Sequence, residues 1–197
     1  ILDMSNKSGS ITVSDPPFAN ALFNTTKLSW LWLVFRVYLS YEWITASLHK
    51  LESPARMQTC EALKDYWMGA VAVPEAPARA AITYGWYRNF LQFLLDNQSY
   101  VWFAKVIAIG EFLVGLGLIV GLFVGIAAFF GGLMNFNFML AGSASTNPVL
   151  FLLAVLLMLA WKVAGYWGLD RWALRWLGTP WQKGEGLPTK KEAPAKS

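Results

Sequence analysis

Residues 106–142 read VIAIGEFLVGLGLIVGLFVGIAAFFGGLMNFNFMLAG, and in that run Glu111 is the only charged side chain. As a single helix it would be about 55 Å long, nearly twice the roughly 30 Å of a bilayer's hydrocarbon core. It must fold back on itself. The turn is expected at Gly121-Leu122-Phe123-Val124-Gly125, because glycine reaches the backbone conformations a tight reversal needs. Two membrane-spanning helices follow, at about 101–121 and 124–142. Gly117, Gly121 and Gly125, with the pairs Ala127/Gly131 and Ala128/Gly132, recur at spacings of four and let helix backbones approach closely, which assigns them packing and no chemistry.

Outward from this core, Leu28 to Leu48 reads LSWLWLVFRVYLSYEWITASL, long enough for a first span at about 28–49 although it carries Arg36 and Glu42. On the other side, Asn147-Pro148 is a helix-start signal, and the apolar run after it gives a fourth span at about 149–168. The expected fold is all-α, an integral membrane four-helix bundle. The polar residues 1–27 and the Lys/Pro/Gly/Ala-rich residues 178–197 read as a flexible and a disordered tail. Lys and Arg crowd these tails more densely than the 51–99 connection, which places both termini in the cytoplasm of a multi-pass plasma (inner) membrane protein.

The 51–99 segment then lies outside. Pro54, Pro74 and Pro77 break it, and candidate helices occupy about 57–68 and 79–97. Trp86, Phe90, Phe93 and Leu94, with Tyr87 beside them, form an apolar stripe on the second, so this amphipathic insertion is either a lid over the bundle or a helix packed on the spans.

Composition agrees with lipid. The 197 residues are 56% hydrophobic and 14% charged, against roughly a quarter charged in soluble domains, which excludes an ordinary soluble enzyme. A formal charge of +4, scattered among apolar runs, argues against a nucleic-acid partner. One Cys excludes an intramolecular disulfide, a thiolate zinc site and a cysteine-ligated iron–sulfur cluster; one His excludes bis-histidine haem. No metal or haem is expected. Among eleven Trp, the positions 161, 167, 172, 176 and 181 suit an aromatic belt at the inner membrane surface.

An ionisable residue in a spanning helix costs roughly 2.5–3.5 kcal/mol on insertion scales, so it faces the bundle interior, pairs or meets a ligand. At about 100° per residue, Tyr38, Glu42, Thr45 and His49 share one stripe of the first span, and Arg36, Trp43 and Lys50 a neighbouring one. Both faces are expected to point inward. Glu111 falls in the outer third of the second span, and Asn135 and Asn137 in the third. Two readings of these residues stay open. In one, Arg36, Glu42 and Glu111 form a buried charge network and the asparagines bridge helices. In the other, an outward-opening pocket binds quinone: Glu111, Glu42 and His49 handle protons, and Asn135, Asn137 and Arg36 contact the head group. Lys50 and Arg56, at the outer end of the first span, either snorkel to the surface or form an anion site.

FRVYLSYEWITASLHKLESP (35–54), GEFLVGLGLIVGLFVGIAAFFGGLMNFNFMLAGSASTNP (110–148) and AGYWGLDRW (164–172) resemble the DoxX family of small four-helix membrane proteins, related to the DoxD subunit of thiosulfate:quinone oxidoreductase. The resemblance covers roughly 28–177 and matches the family's recurring polar positions at Arg36, His49, Lys50, Glu111, Asn135, Asn137, Asp170 and Arg171. Ser40 and Ser47 stand where relatives often have Gly. The resemblance implies electron transfer from a sulfur compound such as thiosulfate to quinone, alongside other membrane subunits. A noncatalytic accessory subunit of a larger respiratory, photosynthetic or redox-defence complex is the alternative.

Overall fold

The computed structural model describes residues 15–75 and 77–177, and among these every regular element is helical. Residues 1–14 and 178–197, including Trp181, lie outside the described residues.

The described chain opens with α1 (Pro17–Phe23) and a single 3-10 turn at Thr26–Leu28. This departs from the expected flexible tail. Pro16-Pro17 starts a helix because proline's fixed φ suits the first turn. The segment is then held by packing: Phe23 stacks on Trp32 with ring centroids 5.6 Å apart, and the Trp32 indole N–H donates to the Leu22 carbonyl at 2.9 Å.

α2 (Ser29–Leu51) is followed by α3 (Pro54–Met57), α4 (Glu61–Val71) and α5 (Gly85–Asp96), then by α6 (Tyr100–Val120), α7 (Val124–Leu140), α8 (Asn147–Leu159), α9 (Trp161–Ala164) and α10 (Asp170–Leu177). α6 is long and apolar enough to cross a membrane, with a mean hydropathy of 2.1. α7 and α8 are shorter apolar helices. α2 is longer than α6 but carries Arg36, Glu42, His49 and Lys50.

Two helix pairs make the body. α2 packs along α6, and α7 along α8, while α6 and α7 meet less closely. Small residues set the first pair: the Ser40 hydroxyl donates to the Gly115 carbonyl at 2.7 Å and Ser47 to the Ala108 carbonyl at 2.9 Å. A Cβ on Gly115 would come within 2.6 Å of the Ile44 side chain, so this helix–helix distance requires glycine. The reversal falls where expected. Gly121 ends α6 at φ +71, Phe123 adopts φ +51, and α7 begins at the next residue. Trp32, Leu39, Trp43, Leu118, Val124, Ala128, Ala154 and Leu157 form the shared core.

The fourth expected span is not one helix. α8 stops at Leu159, and after Ala160 the chain turns through α9 into the loop before α10. No Gly or Pro stands at the break. Its cause is tertiary: the bend brings the Ala164 and Trp167 carbonyls over Arg36, whose guanidinium donates to both.

The outer segment carries α3, α4 and α5. The last of them, α5, begins at Gly85 rather than at 79, because residues before it are held extended by the Arg88 guanidinium, which donates to the Ile82 carbonyl at 2.7 Å. α5 has two apolar faces. Tyr87, Leu91 and Leu94 turn inward to a second core with Trp67, Ala70, Ile82 and Ala141, while Trp86, Phe90 and Phe93 stay exposed.

Candidate functional site

A cavity of about 1200 Å³ lies between α2, α6 and α7 under the α4–α5 roof. Its polar end is assembled from distant parts of the chain. α2 supplies Glu42, Trp43 and Lys50, α6 supplies Glu111, α7 supplies Asn135 and Asn137, and the outer segment adds Arg56, Tyr66 and Tyr87.

Glu111 is 1% exposed, and the Lys50 ammonium donates to both of its carboxylate oxygens at 2.5 Å. The Ser47–Ala108 contact fixes the register that places Lys50, near the end of α2, within reach of α6. Glu111 itself stands at the middle of α6, not in its outer third. Lys50 is thereby held in an ion pair with Glu111 instead of snorkelling free to the surface. A charge buried this deeply is tolerated because it is paired and hydrogen-bonded.

Asn135 is fully buried, lines the cavity, and neither its amide nitrogen nor its carbonyl oxygen has a partner. The Trp43 indole N–H, one turn away across Gly131, is likewise buried and unpartnered. Such orphaned groups cost roughly 1–3 kcal/mol each and are rare without cause. Together they leave unmet N–H donors and one unmet acceptor in the wall where α2 meets α7.

Asn137 serves the roof instead. The Tyr87 hydroxyl donates to its backbone carbonyl at 3.0 Å, with the side-chain oxygen at 3.2 Å, and its amide donates to the Leu133 carbonyl. Burial pushes the Tyr87 hydroxyl up to about 12, with Tyr66 contributing in the same direction.

The remaining expected residues divide. Glu42 and Arg56 border the cavity. His49 is exposed and off its lining, and Tyr38 on the same stripe is 43% exposed, so of that stripe only Glu42 reaches the cavity. Arg36 is also elsewhere. It is buried toward the opposite end of α2, beside Gly121 and the carbonyls of Ala164 and Trp167, with Asp170 as its charge partner. Asp170 accepts from the Phe123 amide at 2.6 Å and the Val124 amide at 3.0 Å, capping α7. Burial pushes its carboxyl above the ordinary range, opposed by these amides and Arg36. Arg36 thus belongs to a structural clasp, which corrects its expected quinone contact.

Trp43, Tyr66 and Tyr87 enter the site without having been assigned chemistry from sequence. Trp43 was legible as a neighbour of Lys50 on one stripe; Tyr66 and Tyr87 gave no signal beyond a phenol among apolar residues. Among the described residues no group of three or more His, Cys, Asp or Glu gathers to hold a metal. No family model, curated protein or solved structure matches the chain.

Proposed function

We propose that the chain is the quinone-binding membrane subunit of an oxidoreductase, a four-span protein of the plasma membrane whose electron donor is the sulfur oxyanion implied by the DoxX resemblance. Four spans are supported by the large apolar side chains left exposed on the body, such as Leu113, Ile119, Phe129, Phe136, Leu152 and Leu159, which a water-soluble monomer rarely displays over so wide a girdle. With α2 and the α8–α9 pair as outer partners of α6 and α7, both termini fall on the cytoplasmic side, as the Lys/Arg distribution requires.

One observation carries the ligand reading: Asn135, whose amide has no partner within the protein, lines a largely apolar cavity beside the Lys50–Glu111 pair. A bound quinone supplies a two-electron, two-proton acceptor. Asn135 donates to an oxygen of the oxidised head group and accepts from the hydroxyl of the reduced one, and Trp43 adds a second donor. The Lys50–Glu111 pair holds a proton at the cavity wall and exchanges it with the outer surface through the partly exposed ammonium. Lys50, held by Glu111, and Arg56 both border the cavity, and the donor's binding site is assigned to a partner subunit.

The test is to purify the protein with its copurifying subunits in mild detergent, extract it for quinone, and measure thiosulfate-dependent reduction of a soluble quinone analogue. Glu111→Gln is expected to lower turnover by at least about tenfold, as loss of a proton-transferring group does. No extractable quinone together with unchanged turnover in the variant would assign the chain to the noncatalytic alternative.

A further inference from the structure

The polar end described above occupies only part of the cavity. Roughly 300–1,000 Å³ suffices for a drug-sized ligand, and this cavity is larger, at about 1200 Å³. Its remainder runs down the seam between α6 and α7 toward their shared turn, lined by Leu113, Leu116, Val120, Phe123, Ile126 and Phe130.

The seam exists because of how the two pairs pack. Near the turn the helices close on each other, where a Cβ on Gly117 would sit 3.2 Å from that of Ala127. α6 is committed mainly to α2 and α7 to α8, so the two meet less closely with each other and the groove runs along the side of their seam. From Glu111 to Val120 the helix rises about 13 Å. All six seam residues are large and apolar, each between 37% and 59% exposed, so the groove is open along its side. An opening that faces hydrocarbon admits an amphiphile from within the bilayer, without passage through water.

We propose that this groove holds the apolar chain of the ligand whose head group meets Asn135. The inference rests on the quinone reading and deepens it: the substrate class is a long-chain quinone, oriented with its head toward Glu111 and its chain toward the Gly121–Phe123 turn. Continuity carries it. One uninterrupted cavity has an unpartnered, fully buried amide at one end and only hydrocarbon at the other, which matches a molecule with one polar head and one tail.

The experiment uses the full-length protein in phosphatidylcholine vesicles. A benzoquinone carrying a decyl tail with a diazirine at its far end is photolysed, with and without excess unlabelled decyl-benzoquinone, and labelled residues are read by mass spectrometry. Competable labelling at Leu116, Val120, Phe123 and Ile126 is expected, falling at least about fivefold in Asn135→Leu, the loss of one hydrogen bond. Asn135 makes no bond within the protein, so this variant keeps its fold, checked by its thermal transition. Competable, Asn135-dependent labelling at other residues would overturn the groove and leave the quinone reading standing. Groove labelling unchanged in Asn135→Leu would show a slot for any acyl chain and overturn the proposal. Without competable labelling, with marks spread over lipid-facing positions such as Ile109 and Leu152, the quinone reading itself fails.

Discussion

Asn135 is fully buried and its amide has no partner within the protein, which is costly in a region with little water to compensate. Leucine has nearly the same shape without the unmet groups. Asn135→Leu is therefore expected to stabilise the ligand-free protein, by about 1–3 kcal/mol. A thermal shift in detergent reads this, and a lower transition temperature would mean that the amide has a structural task. The opposite holds for Lys50 and Glu111. Removing one partner of a buried ion pair costs roughly 3–5 kcal/mol, whereas replacing both with apolar residues is often neutral. Lys50→Met or Glu111→Leu alone should lower the transition temperature, and the double variant should recover most of the loss. Additive losses in that cycle would show that the two side chains act independently.

Among the elements, α5 binds the roof to α7 through the Tyr87 hydroxyl, whose proton is retained to about 12 in the folded protein against 10.0 for a free phenol. Between those values the unfolded chain releases the proton while the folded one holds it, so this group's contribution is intact below pH 10 and is lost as pH rises toward 12. Wild type should lose stability over that window relative to Tyr87→Phe, followed by chemical denaturation at several pH values. Equal pH slopes in the two proteins would place the Tyr87 hydroxyl in a more open environment. How legible such elements are depends on where their causes lie. The α6–turn–α7 reversal was readable because composition and two glycines determine it locally. The stop at Leu159 was not, since it answers to Arg36, more than a hundred residues earlier. Likewise Glu111 and Asn135 were identifiable as anomalies in apolar helices, but the Lys50–Glu111 pair joins residues 61 apart, and no spacing rule reveals it. The apolar stripe of α5 was seen as one face; only packing divides it into an inward and an outward side.

For the molecule as a whole, the clasp of Arg36, the Gly121 turn and Asp170 ties the first helix pair, the second pair and the C-terminal segment together. Asp170→Ala orphans two amides at the start of α7 and removes the nearby counter-charge of Arg36, for an expected loss of about 1–3 kcal/mol in unfolding free energy. An unchanged denaturation midpoint would remove the clasp from the account of stability. Topology is testable on the same scale. Cys60 is fully buried, so a single introduced cysteine reports alone when the intact membrane is treated with an impermeant thiol reagent. Position 183 should resist labelling from outside and react once the membrane is opened; labelling in intact cells would invert the arrangement.

The clasp also orders events in time. Asp170 leaves the ribosome 46 residues after the Val124 amide it accepts from, so α7 first forms with its first turn uncapped. Arg36, made far earlier, waits for the same residue. A nascent chain stalled before 170 is thus left with a loose turn between α6 and α7, whose fastening waits for a residue made after both helices that it joins.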